Sequence, residues 1–395
     1  MDNSTQLSEP GEASLSSIKI ALCGDVMTGR GIDQILAHPG DPTLHEPSVR
    51  DAREYVQLAE KAHGPIGRPV ADAYVWGDAL EEWNQASPDV RIGNLEMSIT
   101  TSDESWPGKE VHYRMNPKNI GCLAAANFDC WTLANNHVLD WGHAGLSETL
   151  RALREAGMKY AGAGMNRHEA AAPVVRTLEG RGRVVVFSIG SVTSGIPYSW
   201  SATEHRAGVN LLAEMSNDEV RRIQEGVAAV KRQGDIVIAS IHWGPNWGYE
   251  ISEARRKFAH RLIDTAGIDA IHGHSSHHAL GIEIYRGHLI LYGCGDFLDD
   301  YEGIAGYEEY RGDLGLIYFA EVEPSTGELS RLRIVPTQVR RMRICRAGAA
   351  DTLWLRDTLS RESRRYGVEV EGVDCGALAV KWQRARADSH STSLG

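Results

Sequence analysis

The stretch "IKIALCGDVMTGRG", Ile18 to Gly31, decides the fold. Its first half is a short apolar, β-branched run, and it breaks abruptly at Gly24-Asp25, which is how a buried parallel strand ends in a functional loop. The same plan recurs along the chain. "VRIGNLE" (Val90–Glu96), "CWTLANNH" (Cys130–His137), "RVVVFSIGS" (Arg183–Ser191), "DIVIASIHWG" (Asp235–Gly244) and "IDAIHGH" (Ile268–His274) each run apolar and finish in Asn, Glu, His or Gly. Helical patterns lie between them: Leu146, Leu150 and Leu153 share a face that ends at Gly157, and Ser216 with Glu219 forms a capping box ahead of Val220, Ile223 and Val227. Alternating strands and helices predict a layered, largely parallel α/β core with a site along the edge where the strands end. From Gly281 onward the pattern changes to strand–turn–strand, which predicts an antiparallel C-terminal extension, with one amphipathic helix near 351–366.

The expected organisation is a flexible leader over 1–17 and a main domain over 18–346, with the Pro- and Gly-rich insert 39–76 as a rim or lid. A helical extension follows over 347–383, and a disordered tail over 384–395. The formal net charge of −12 argues against a general nucleic-acid binder. No apolar run reaches the length of a signal core or a membrane span, so no membrane partner is expected and a cytoplasmic location is. Six cysteines stand without CxxC spacing, which predicts reduced thiols rather than a zinc ribbon or a disulfide framework.

Chemistry-bearing residues gather at the strand ends. Asp25 follows the first strand, where it can ligate a cation or cap a helix; Arg30 can clamp an anion or form an ordinary ion pair. Glu96 ends "GNLE". "LANNHVLDWG" (Leu133–Gly142) packs two amides, an imidazole and a carboxylate into six residues, which demands a polar network. There Asn136 offers a neutral oxygen to a metal and His137 can exchange a proton with a substrate. His242 directly follows a β-branched strand, and Trp243 and Trp247 offer either an aromatic wall or ordinary packing. In "IHGHSSHH" (Ile271–His278), His272 and His274 flank Gly273 and are assigned to opposite sides of the strand, so only one faces the site. His274 and His277 form a plausible chelating pair, with His272 or His278 serving the scaffold. "YGCGDF" (Tyr292–Phe297) adds Cys294, either packing or a reactive thiol, and Asp296.

Together, "GDVMTGRG", "NLE", "LANNHVLDWG", "HWG" and "GHSSHH…GIEIYRGHLILYGCGDF" resemble the CapA-type poly-γ-glutamate synthesis proteins over about 18–346. The resemblance implies a calcineurin-like metallophosphatase fold. It further implies Asp25, Glu96, Asn136, His242, His274 and His277 around one divalent metal ion of unspecified identity, no organic cofactor, and His137 as acid/base. Two departures stand out: Met27 occupies the place of a histidine ligand, and Ser275-Ser276 interrupt the last His-x-His pattern. They predict a weakened metal position, since a thioether is a poor ligand for hard cations. Enzymes similar to this subfamily also epimerise peptides in lasso-peptide pathways.

The leading expectation is therefore a peptide epimerase that inverts a C-terminal residue of a peptide, such as a ribosomal precursor peptide, at Cα. In this scheme His137, oriented by Asp140 or Asp296, takes the proton; Arg30 or a cation stabilises the enolate, and His274 or Cys294 serves the opposite face. The alternative is a poly-γ-glutamate synthesis accessory protein or a metal-dependent hydrolase of a peptide or phosphoester.

Overall fold

A computed structural model describes residues 17–304 and 306–383, so the expected leader and tail fall outside the described residues except for Ser17. The architecture rests on strands β1 (Ile18–Val26), β2 (Val90–Leu95), β3 (Cys130–Thr132), β4 (Gly182–Ser191), β5 (Asp235–His242), β6 (Ala270–His274) and β7 (Ile282–Tyr285). β8 (His288–Leu291), β9 (Asp296–Leu298), β10 (Leu314–Val322), β11 (Leu329–Val339), β12 (Val368–Gly372) and β13 (Leu378–Trp382) complete it.

These strands form two sheets. In the first, β12, β13, β11 and β10 are antiparallel and lead into the parallel β1, β2 and β3, with β9 also parallel to β1. In the second, β4, β5, β6 and β8 are parallel and the β7–β8 hairpin closes one edge.

Strand periodicity shows how the sheets stack. Ile18, Ile20 and Leu22 of β1 share one apolar cluster with Ile236 and Ile238 of β5, whereas Ala21 and Cys23 join a different cluster with Trp76, Trp83 and Leu150. On the far side, Val237, Ala239 and Ile241 of β5 share a third cluster with Ile223, Phe258 and Leu262, which come from the helices Asn217–Ala228 and Glu253–Ala266. Because side chains alternate across a strand, each sheet buries one face on the other and one face on helices. The result is a helix–sheet–sheet–helix sandwich, the layered α/β architecture that the resemblance implies.

Local signals agree with this placement. Ser216 accepts from the Glu219 N–H and starts the helix Asn217–Ala228; the leucine face belongs to the helix Gly142–Glu155. The turn between β7 and β8 uses Arg286 and Gly287, both with positive φ, the requirement of a tight two-residue hairpin. The segment expected as a helical extension holds the helix Ala349–Ser363 but also the β12–β13 hairpin, which widens the first sheet. The insert 39–76 contributes Tyr55, Val56 and Ala59 of the helix Arg53–His63 to the buried helical layer.

One contact positions the site. The β1–β2 register shifts between Cys23 and Asp25, so Gly24 is the extra residue of a bulge, and the Asp25 N–H donates to the Gly295 carbonyl at 3.1 Å. A Cβ on Gly24 would lie 1.7 Å from that carbonyl oxygen. Gly24→Ala is expected to cost about 4 kcal/mol or more, the range of severe core strain. A thermal melt within about 1 °C of the parent, roughly 1 kcal/mol or less at this chain length, would refute that role.

Candidate metal centre

The parallel strands β1, β2, β3, β5 and β6 all end at the same edge, and their terminal residues meet there. Asp25 is the hub. Its Oδ1 accepts from Asn94 Nδ2 at 2.7 Å, and its Oδ2 accepts from the Ser275 N–H at 3.1 Å. Around it stand two sets of donor atoms, each lying within 4.8 Å of one another: Asp25 with His242 and His274, and Asp25 with Glu96 and Asp296. All of these residues are buried.

The carboxylates pay an electrostatic penalty for this grouping. Burial first and the Asp296 charge second push Asp25 up to about 7, and burial with Asp25 and Asp296 raises Glu96 well above the usual range. Burial likewise drives His242 and His274 far below the ordinary imidazole value, so both rings are neutral.

The hydrogen-bond network assigns their tautomers. His272 Nε2–H donates to the Cys23 carbonyl at 2.8 Å, so its Nδ1 accepts from the Ser240 hydroxyl at 3.0 Å. Ser240 Oγ then accepts from His274 Nε2–H at 2.9 Å, leaving His274 Nδ1 unprotonated. His242 Nε2–H donates to Asn136 Oδ1 at 2.9 Å, with Glu96 Oε1 3.6 Å away, leaving its Nδ1 unprotonated too. The two bare Nδ1 atoms face each other at 2.8 Å, with Asp25 Oδ1 at 3.7 and 4.0 Å. Two lone pairs at that distance repel unless a cation lies between or beside them. Neutral imidazoles fixed from behind by hydrogen bonds, together with carboxylates, make a donor set suited to a divalent ion.

His137 lies beside this cluster. Its Nδ1 is 2.7 Å from Asp140 Oδ2, its ring stacks on Tyr113 at 3.8 Å, and its Nε2 is 3.9 Å from Glu96 Oε1. Burial comes first, and Lys109 second, in holding it neutral. Lys109 Nζ lies 2.5 Å from Asp140 Oδ1 and 2.9 Å from His137 Nδ1.

Several sequence assignments change. His272 and His274 do not point to opposite sides: a strand repeats every two residues, and both share the inter-sheet face with Ala270. His277 stands outside both donor sets; its Nδ1 bonds Asp296 Oδ2 at 2.9 Å, and although burial opposes its charge, Asp296 raises it to about 9. Asp296, expected to orient a base, joins the donors instead. Cys294 is packed in the inter-sheet core, where burial raises its thiol well above the usual value. Arg30 is also drawn into a buried network: its Nη atoms bond Glu46 at 2.8 Å, Tyr55 and Asp300, while its Nε has no hydrogen-bond partner among the described residues. Met27 turns into the helix-side core, its sulfur accepting from the Gly29 N–H at 3.2 Å. Trp243 is packing, with its Nε1–H on the Tyr292 carbonyl. His278 is buried outside the donor sets, so the scaffold role falls to it and to His272.

Asn94, Ser240 and Lys109 were missed. The first two sit within quoted strand-end motifs and are reachable from period-two reasoning, whereas Lys109 lies in a loop that carries no pattern.

Residues 19–301 match the model of the bacterial capsule synthesis protein PGA_cap. The chain belongs to the PGA_cap family. A probable polyglutamine synthesis accessory protein of Mycobacterium tuberculosis is 48% identical over 354 residues, covering 89% of this chain and 93% of that protein. The PGA biosynthesis protein CapA of Bacillus subtilis is 25% identical, covering 82% and 72% respectively. The capsule biosynthesis protein CapA of Bacillus anthracis is 26% identical over 54% of this chain and 51% of its own length. The strand-end motifs from Asp25 to Asp296 fall inside the span that matches the family. Among the described residues no helix is long and apolar enough to cross a membrane.

Two outcomes follow. Ser240→Ala and His272→Phe cut the chain that fixes the His274 tautomer, so Zn²⁺ affinity by calorimetry is expected to fall ~10–100-fold; an unchanged affinity removes the relay from the argument. Arg30→Met leaves Asp300 and Glu46 without their counter-charge, with only the Gly31 N–H and the Tyr55 hydroxyl still on them, and is expected to destabilise the fold by about 3–5 kcal/mol while leaving metal stoichiometry unchanged. Denaturant unfolding alongside metal analysis separates the two effects.

Proposed function

We propose that this PGA_cap protein is an accessory enzyme of poly-γ-glutamate-type polymer synthesis that works as a metal-dependent hydrolase on a peptide or phosphoester bond. The observation that carries this reading is the convergence of three buried carboxylates and two neutral, back-anchored imidazoles on one small volume. The names of the relatives supply the biological setting, and the donor chemistry supplies the reaction class.

A divalent ion held by Asp25, Glu96, Asp296, His242 and His274 would supply Lewis acidity and a water acidified toward neutral pH. Met27 removes one expected ligand, and Asp296 provides a carboxylate in its stead, so the centre keeps two donor sets that share Asp25. The chain's own contribution to proton transfer is His137. Its Nδ1–H on Asp140 leaves a bare Nε2 toward the Glu96 side of the cluster, where it can take a proton from the attacking water and then deliver that proton to the leaving group. Asp140 stabilises the ring as it gains charge, and stacking on Tyr113 fixes its plane. Asn94 and Ser275 hold the Asp25 carboxylate in orientation.

Epimerisation of a peptide at Cα has less support. It needs an acid on the second face and charge stabilisation for an enolate, and Cys294 and Arg30 are both engaged elsewhere. His274 remains, but its bare Nδ1 is directed at Asp25 and His242.

The test is incubation with Mn²⁺ or Zn²⁺, with and without chelator, of bis(p-nitrophenyl) phosphate and of γ-glutamyl oligomers in deuterium oxide, read by mass spectrometry. Chelator-sensitive cleavage is expected, and Asp25→Asn is expected to lose both bound metal and rate by more than the ~10–100-fold typical of a residue behind the ligands. Deuterium gain at Cα without cleavage would overturn hydrolysis in favour of proton exchange.

A further inference from the structure

A cavity of about 450 Å³ opens directly beside the metal centre, shares Asp296 with it and is lined by His277 as well. Nothing in the hydrolase reading uses the rest of it. One wall is aromatic: Trp247 stacks on Tyr307 at 4.1 Å with an interplanar angle of 6°, and Tyr301 meets His277 edge-on. Tyr307 and Ile304 at its rim are 52% and 46% exposed, which is unusual for large apolar side chains in this molecule.

The other walls are acidic, and most of that charge is already answered. Glu302 accepts from the Arg341 and Met342 N–H groups and pairs with His63. Asp313 is held by Arg311 and Gln338, and Arg311 is shared with Asp351. Asp296 has His277.

Asp299 is different. It is 6% exposed and lines the cavity; its Oδ1 accepts from the Tyr301 N–H at 2.8 Å, and its Oδ2 has no hydrogen-bond partner among the described residues. No basic side chain among them pairs with it within 4.0 Å. A buried carboxylate with an open oxygen facing a cavity is costly unless a ligand completes it. A hard metal cation fits poorly, because Asp299 belongs to neither set of clustered donors. Burial first, and the Asp296 charge second, raise Asp299 well above the usual carboxylate range, so a bound cation is what would hold it ionised; an aromatic face next to such a carboxylate is the arrangement that recognises organic cations.

We propose that this cavity is a subsite for an organic cation, an ammonium or guanidinium on a flat or aliphatic body, with the charge on Asp299 and the body against Trp247 and Tyr307. The inference rests on the hydrolase reading only in taking the Asp296–His277 edge as the reactive end. It deepens that reading by making the group next to the reacting bond cationic. The carboxylates of a γ-glutamyl chain would be repelled here, and such a chain could enter only by its free amino end.

The test is calorimetric titration of the full chain, both metal-loaded and metal-stripped, with tyramine and with its carboxylate counterpart 3-(4-hydroxyphenyl)propionate. Saturable one-to-one binding of tyramine is expected, with the carboxylate roughly tenfold weaker or more. Asp299→Asn is expected to weaken tyramine by about tenfold, and Trp247→Ala to weaken it as well, with melting temperatures checked for both. Absence of saturable tyramine binding to both protein forms, equal binding of the two probes, or full affinity in folded Asp299→Asn would overturn the proposal. Binding to the metal-stripped protein separates the two readings: it stands if hydrolysis fails, and its loss leaves hydrolysis untouched.

Discussion

The close approach of Gly24 to the Gly295 carbonyl is the constraint on which the rest of the site depends. β1 runs through the middle of the first sheet, and a regular strand would keep Asp25 on the face of Ala21 and Cys23, toward the helices. The extra residue at Gly24 changes the face, and the parallel pairing of Asp25 with Asp296 brings a second carboxylate alongside. Only a residue without a Cβ allows the two backbones to touch in this way. Both donor sets include Asp25, so a single bulge sets the position of the whole cluster.

That position is electrostatically demanding. Three carboxylates share a buried volume; His242 and His274 are too desolvated to carry compensating charge, and His277, set on Asp296, carries some of it. The fold meets the demand with dipoles: Asn94 and the Ser275 N–H on Asp25, Asn136 on His242, and the Cys23 carbonyl acting through His272 and Ser240 on His274. These contacts orient the donors but do not neutralise them. A divalent cation would do so, and that unmet need is the ground for the proposed metal-dependent reaction. Elsewhere the same chain shows the opposite solution, in Arg30, where buried charge is closed off by internal partners and withdrawn from chemistry.

The cavity beyond His277 extends this logic outward. The site edge is crowded with negative charge on the protein side, and the adjoining pocket continues it with Asp299. Substrate selection at such an edge is set by what can bring positive charge without displacing the donors.

Much of this was legible in the sequence. Apolar runs ending in Asp, Asn, Glu and His gave the parallel layers and the edge where chemistry gathers, because a strand buried on both faces must be apolar until it reaches the functional end. That rule places Asp25, Glu96, His242 and His274 at strand ends, and the family resemblance, not the rule, implies a metal there. The rest needed the tertiary structure, and the reasons are physical. Whether Arg30 meets a substrate or Asp300 depends on residues 270 positions apart, and whether Cys294 is a thiol at a site or in a core depends on which sheet face it occupies. The exchange of roles between Asp296 and His277 likewise turns on a pairing of β9 with β1 across the whole chain. Local pattern determines which residues end the strands; only the packing of two sheets decides which of their side chains share one volume, since that is fixed by long-range register and by a bulge whose need for glycine becomes visible when its partner backbone is in place.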